Sequence, residues 1–376
     1  MLQRLLILNY EFFWLKILLF NFKVEKLSFF IELLYLHTNE FAITMTPLNS
    51  PYSGKPMRVV YEPEVWEMRG EKYPYVHIAY RDDESGEQFT TTESDTVCYA
   101  QATNQYRERH GIPYTDEIIA LRESYGLSAA KMSVILGFGA NQYRLYEMGE
   151  VPSESNGKMI RGAMNPNVFL ELVKSSRLQL TDREYEKISA RVKEVIERSE
   201  RGDAEMWVQT YLSLGSRGME NGFAPLSSAR LKNLLLYVLG QMRETFQTKM
   251  NKVLFYIDFL SYRERGMAIS GLSYQAIDFG PVPKRWDRVY SVFDEVEQQF
   301  RMVQGQECVS LQAGGVADMS EFLAEELAII DEVCGRLRAM SSRAVSKLSH
   351  EEPAWKDYVG RPETIPFSEA FSLVGM

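Results

Sequence analysis

Apolar positions recur along this chain with two different periods, and the change from one to the other divides it. In the first third they come in short alternating runs. Met57-Arg58-Val59-Val60-Tyr61 and Tyr73-Pro74-Tyr75-Val76-His77-Ile78 flank Arg69-Gly70-Glu71, the pattern of an antiparallel hairpin. Ser85-Gly86-Glu87 marks another turn, and Ser94 to Arg109 reads as a helix stopping at His110-Gly111. After Pro113 the period becomes that of short helices. Thr115 stands where an N-cap belongs, ahead of Asp116 and Glu117, whose charge suits the positive end of a helix dipole. Ile118, Leu121 and Tyr125 share a face, and Gly126 ends the run. Ser128 opens a second helix with Met132, Ile135 and Leu136 inward. Gly137-Phe138-Gly139 turns the chain into a third helix from Ala140 to Met148, stopped by Gly149. Short helices joined by such a glycine turn form a helix-turn-helix.

Thr181 and Glu184 have capping-box spacing and open a highly charged helix reaching Arg201-Gly202, with Tyr185, Ile188, Val192 and Ile196 as a thin seam. Leu231 to Met242 and Lys249 to Tyr262 are apolar enough for core helices, and Leu272 to Phe279 reads as a strand. Gly280-Pro281-Val282-Pro283 reads as a rigid turn, because proline fixes φ and lacks a donor. Lys284 to Phe293 is expected to be helical, with a hairpin around Gly305. Asp318 and Glu321 are expected to cap a long helix to Met340, ahead of a last helix from Ser342 to Leu348. The expected fold is mainly α with small β elements (α+β). It comprises a β-hairpin region over 45–112, a helix-turn-helix bundle over 113–178, a charged helical connector over 179–202 and a larger helical domain with a short sheet over 203–376. Residues 1–44 are apolar, but Glu11, Lys16, Lys23, Glu25, Lys26 and Glu32 interrupt them too often for a membrane span. They are expected to be an upstream extension outside the functional fold, with Met45 as its start.

Charge and composition narrow the chemistry. The 376 residues carry 42 cations against 51 carboxylates, a net charge of −9, so nucleic-acid binding has to use a local face. Cys98, Cys308 and Cys334 lie far apart without a CxxC pair, which points to a reducing cytoplasm and away from disulfides or a thiolate zinc site. The histidines are scattered, and neither a P-loop, GxGxxG nor HExxH occurs. One nucleophile pair can be drawn, Cys334 with His350, but Cys334 falls on the seam of an apolar helix. A non-enzyme without cofactor, metal or membrane partner is expected.

The third helix of the 113–178 unit carries the most specific chemistry. Asn141 and Gln142 have amides suited to adenine N6 and N7, Arg144 suits guanine or a phosphate, and Lys131 on the second helix suits a phosphate. Tyr143 and Tyr146 fall on the packing side. Residues 113–175 hold six cations and seven carboxylates, 6 − 7 = −1, so a homodimer spanning two half-sites of double-stranded DNA is the expected binding form.

Two stretches resemble known families. Ser50-Pro51-Tyr52-Ser53-Gly54-Lys55 through Gly86-Glu87-Gln88-Phe89, with Leu127 to Gly139 and Tyr146 to Ser153, resembles antitoxins of the MqsA/YgiT zinc-finger and helix-turn-helix type. Lys252 to Leu260, Gly271 to Ala276, Phe279-Gly280-Pro281-Val282-Pro283 and Leu348-Ser349-His350 resemble the Panacea, or SocA-like, domain. The first resemblance implies two zinc-binding cysteine pairs, but Ser50, Ser53, Asp82 and Ser85 stand in or near those places, so the hairpin is expected to persist without metal. It also implies an Asn and, four residues later, an Arg against bases. Asn141 matches and Leu145 does not. Together the resemblances imply an antitoxin that neutralises a cognate toxin through its C-terminal unit and represses its own operon through the helix-turn-helix. Tyr274, Phe279, Val282 and Trp286 are candidate toxin anchors because they adjoin a rigid turn. Delivery of a partner to an ATP-dependent protease, or plain transcription regulation, are the alternatives.

Overall fold

The two long strands of the N-terminal region are joined by the tightest connection available. β1 (Arg58–Met68) and β2 (Glu71–Arg81) pair antiparallel with Trp66 opposite Tyr73 and Tyr61 opposite Ile78. The two turn residues, Arg69 and Gly70, both have positive φ (52° and 82°), as a two-residue primed turn requires. This structure is a computed structural model that describes residues 47–199, 203–242, 245–303 and 305–376; the expectation for 1–44 lies outside the described residues. β3 (Gln88–Phe89) pairs only with the end of β2, leaving Val76 on an open edge. Gln101 of α1 (Thr92–His110) closes that edge, donating to the Val76 carbonyl (3.0 Å) and accepting from its N–H (2.9 Å). Trp66 packs edge-on against Tyr75 and Tyr99.

The helical bundle follows: α2 (Thr115–Ser124), α3 (Ala129–Ile135), α4 (Gln142–Glu147), α5 (Glu154–Ala163), α6 (Pro166–Ser175) and α7 (Asp182–Ser199). Two local expectations need correction. The cap of α2 is Tyr114, one residue early, because the Glu117 carboxylate reaches back to its N–H (2.9 Å). α4 is shorter than its apolar pattern, because Asn141 sits in the left-handed region at φ 67° and can only precede the helix. On the charged helix α7, the seam residues Ile188 and Val192 are buried in the same core as Ile118, Met132, Tyr143, Ile160 and Phe169.

The C-terminal part is arranged around one helix. α8 (Asp203–Tyr211) and α9 (Ser228–Met242) lead to α10 (Gln247–Arg265), in which every residue from Lys249 to Tyr262 is buried. Against it lie a two-stranded ribbon, β5 (Tyr274–Ile277) with β6 (Gly280–Pro283), and a sheet in which β8 (Gln306–Ala313) sits between β4 (Thr245–Phe246) and β7 (Val296–Val303). α11 (Ala324–Leu337), α12 (Ser342–Ser349) and the one-turn α13 (Pro353–Lys356) complete the layer. The Gly-Pro-Val-Pro segment, expected as a turn, is instead a strand, pairing Pro283 with Tyr274 and Gly280 with Ile277. A two-stranded ribbon has no interior strand, so prolines fit it where a sheet centre would reject them. The turn moves to Asp278 and Phe279. Residues 284–292 form successive turns without a regular helix, and Asp318 caps only a 3₁₀ turn, α11 starting after Leu323. Among the described residues, no helix is long and apolar enough to cross a membrane.

Full burial of α10 forces its polar side chains to find partners inside. Asp258 accepts from the N–H groups of Ile269 (2.9 Å) and Ser270 (2.8 Å), from the Tyr274 hydroxyl (2.6 Å) and from the Ser270 hydroxyl. It thereby fixes the loop after α10 and the start of β5. Tyr256 donates to buried Glu352, which also accepts from the N–H groups of Val374 and Gly375 and so anchors the C-terminal tail. Replacing Asp258 by Ala leaves several buried donors unpaired at ~1–3 kcal/mol each. The expected result is a loss of about 3 kcal/mol or more. It is read as a lower urea midpoint at unchanged slope, and a variant within about 0.5 kcal/mol of the parent refutes the assignment.

Candidate binding surfaces

The outward face of α4 presents Asn141, Arg144, Leu145 and Met148, all exposed, while Tyr143 and Tyr146 are buried beneath it. The left-handed backbone at Asn141 sets its side chain free at the helix start, where no capping bond holds it. Gln142 is half-buried and donates to Glu150 (3.1 Å). Lys131, expected to meet a phosphate, is instead paired with Glu184 of α7 (2.8 Å), which holds that carboxyl down to about 2. Arg122 likewise pairs with Glu147. Arg144 is thus the cation of this face that remains unpaired among the described residues.

The four residues at the implied metal position converge, but as a hydrogen-bond knot. The Ser50 hydroxyl donates to Asp82 Oδ2 (2.6 Å), and the Ser85 hydroxyl donates to the same oxygen (3.1 Å). Ser50 Oγ accepts from the N–H groups of Tyr52 (3.1 Å) and Ser53 (3.2 Å), and Asp82 Oδ1 accepts from Glu84 N–H (3.0 Å). Each turn closes on a glycine with positive φ, Gly54 at 69° and Gly86 at 75°. Three neutral hydroxyls with one carboxylate are a poor donor set for zinc, which takes thiolate, imidazole or carboxylate.

The bundle and the C-terminal part meet at Arg217. Its guanidinium donates to both carboxylate oxygens of Asp116 (2.8 Å each) and lies 4.0 Å from the centre of the Tyr114 ring. On the other side, Arg69 at the hairpin turn donates to the carbonyls of Val151 and Pro152 (2.9 Å each), tying the strands to the segment after α4.

The four expected anchors separate by burial. Tyr274 is fully buried and spends its hydroxyl on Asp258, and Val282 lies in the core, so neither is presented to a partner. Phe279, at the tip of the β5–β6 ribbon, is 73% exposed, and Trp286 is 37% exposed. These two flank the mouth of a cavity of about 250 Å³ whose lining includes Lys252. The sequence alone gives Lys252 no role; the signal that marks it is a cation at the head of the largely apolar stretch Val253 to Leu260. Cys334 is buried in α11, its thiol pushed up to about 12 by burial, and His350 stacks on Trp355 (4.1 Å). A thiol held protonated at neutral pH does not act as a nucleophile there.

Hydrogen bonds to the ionised form, that from Ser50 foremost, lower the Asp82 carboxyl to about 2. Because its folded value lies below the ordinary 3.8, this contribution to stability is complete above about pH 4 and is lost as the pH falls toward 2. Amide exchange at Tyr52, Ser53 and Glu84 is expected to quicken across that window before the remainder of the hairpin does. Protection that is unchanged down to pH ~2 would remove the knot from the fold's support.

Comparison with curated proteins and with solved structures gives no match. Residues 250–356, from α10 through α13 and including the ribbon, match the family model described as the antitoxin SocA-like, Panacea domain.

Proposed function

We propose that this chain is an antitoxin that neutralises a partner toxin by direct association through its C-terminal part and binds operator DNA through α4. The observation that carries the reading is the match of residues 250–356 to the SocA-like antitoxin domain. Neutralisation of this kind requires a contact surface of roughly 800 Å² per partner centred on one or two large anchors. Phe279 and Trp286 supply two exposed aromatics beside a short, hydrogen-bonded ribbon, which keeps the ordering cost of binding low. For DNA, the support is an arrangement of short helices with Asn141 and Arg144 exposed on the third. Leu145 and Met148 beside them offer apolar surface of the kind that meets thymine methyl groups. With Lys131 and Arg122 paired internally, one copy brings little charge to a duplex, which favours a homodimer over two half-sites.

The product of the adjacent reading frame is expected to arrest growth when expressed alone and to be tolerated when this chain is co-expressed. Phe279→Asp with Trp286→Ala is expected to weaken the complex by about 2 kcal/mol or more with an unchanged melting curve. A harmless neighbour, or full rescue by the double variant, refutes the toxin part. A toxin whose half-life shortens in the presence of this chain would instead indicate delivery to a protease.

Arg144→Ala is expected to lower operator affinity and to reduce the salt slope by about one, and Asn141→Ala to cost about 1–3 kcal/mol at one base position only. Quantitative gel shifts at several salt concentrations read both, and unchanged binding in the two variants refutes the DNA part.

A further inference from the structure

One lysine in the C-terminal part has a buried side chain and no partner among the described residues. Lys252 on α10 is 1% exposed, and among the described residues nothing forms a hydrogen bond or ion pair with its ammonium. One turn earlier, Lys249 is also buried, though less deeply at 7% exposed, and its ammonium donates to the carbonyls of Arg338 (3.1 Å) and Met340 (2.7 Å) beyond the end of α11. The amine of Lys252 is lowered to about 8 by burial alone, with no carboxylate contributing. A lysine side chain this deep is costly to keep charged without a counter-ion, and native structures rarely keep one without a use.

The backbone makes room for this lysine. Gly280 opens β6 at φ +106°, and a Cβ there would stand 2.7 Å from Lys252 Cε and 2.8 Å from Ser349 Oγ. The side chain passes beneath the ribbon to line the 250 Å³ cavity. Ile277 and Val282 contribute apolar wall, and Phe279 and Trp286 stand at the mouth. Asn251 adds a second donor. Its Oδ1 is taken by the Tyr290 hydroxyl (2.7 Å), and among the described residues its amide NH₂ has no bonded partner. Asp278 belongs to the lining, is exposed, and makes no ion pair with Lys252.

A cation and an amide donor at the base of a mostly apolar cavity complement an anion with an apolar body. The available space exceeds the roughly 150 Å³ that suffices for a benzene ring. A phosphate, with more charge and more oxygens, calls for the arginine fork or the row of backbone N–H groups that this lining lacks. We propose that this cavity is a binding site for a carboxylate carried on an aromatic or aliphatic group, with the carboxylate on Lys252 and the apolar body against Phe279 and Trp286. Two sources have that chemistry: a free aryl or alkyl carboxylic acid, and the C-terminal carboxylate of a peptide ending in an apolar residue. The site stands on the cavity's own geometry and does not depend on the antitoxin reading.

Titration calorimetry of the full chain at pH 7 tests it, with 3-phenylpropionate against its uncharged amide, 3-phenylpropanamide. The acid is expected to bind at least about tenfold more tightly than the amide. Lys252→Met is expected to abolish that preference, and Trp286→Ala to weaken both ligands while the preference remains. Equal affinities for acid and amide on the unmodified chain, or no heat from the acid up to about 10 mM, overturn the proposal without any variant having to fold. Retention of the preference in a folded Lys252→Met overturns it as well. A tetrapeptide ending in phenylalanine, free or amidated at its C-terminus, separates the sources. Preferential binding of the free peptide makes the ligand a chain terminus, and binding of the small acid alone makes it a metabolite.

Discussion

A helix enclosed on every side cannot leave a polar atom to water, and that constraint organises the C-terminal half of this protein. From Lys249 to Tyr262, α10 has no solvent-facing stripe, yet it carries two lysines, two asparagine or aspartate side chains and several hydroxyls. Each has to be answered by the structure packed around it. Asp258 is answered by backbone N–H groups and hydroxyls of the following loop and of β5, Tyr256 by Glu352, Lys249 by carbonyls beyond α11, and Asn251 by Tyr290. These partners come from loops, ribbon and tail alike, so the helix dictates where each of them lies. Among the described residues Lys252 is the cation of this stretch that the fold leaves unanswered, and with Asn251 it lines a cavity.

The N-terminal half solves a smaller problem by a different route. A hairpin with two appended turns has little core of its own. It is held by α1 laid across β2, by Gln101 closing a strand edge, and by the Ser50–Asp82 knot where the resemblance implies a metal. The Asp82 carboxylate is the centre of that knot. It accepts two hydroxyls and a backbone N–H, while Ser50 relays the same support to the first turn. Arg69 and Arg217 then fasten hairpin to bundle and bundle to C-terminal part through backbone carbonyls and a two-pronged ion pair.

How much of this was legible follows from the range of the forces involved. Local patterns carried the hairpin, its turn at Arg69-Gly70, the cap at Ser128, the capping box at Thr181, and the mainly α character of the chain. What failed was decided by distant neighbours. Gly280 to Pro283 has the composition of a turn and becomes a strand because Tyr274 to Ile277 lies alongside it. Lys284 to Phe293 has helical spacing but no regular helix. Lys131 looks like a phosphate ligand until α7 brings Glu184 to it, and Tyr274 looks like an anchor until Asp258 claims its hydroxyl. Of the expected site residues, Asn141, Arg144, Phe279 and Trp286 are exposed, while the cavity behind the last two is a product of tertiary packing that no window of sequence contains.

The knot between the two N-terminal turns has a consequence for how this protein meets stress. A ribbon fastened by four thiolates comes apart when a chelator removes its ion or an oxidant attacks its sulfurs. Oxygen donors joined by shared protons offer neither reagent a target. The fastening at Ser50 and Asp82 is therefore indifferent to zinc supply and to peroxide, conditions under which thiolate-fastened ribbons fail.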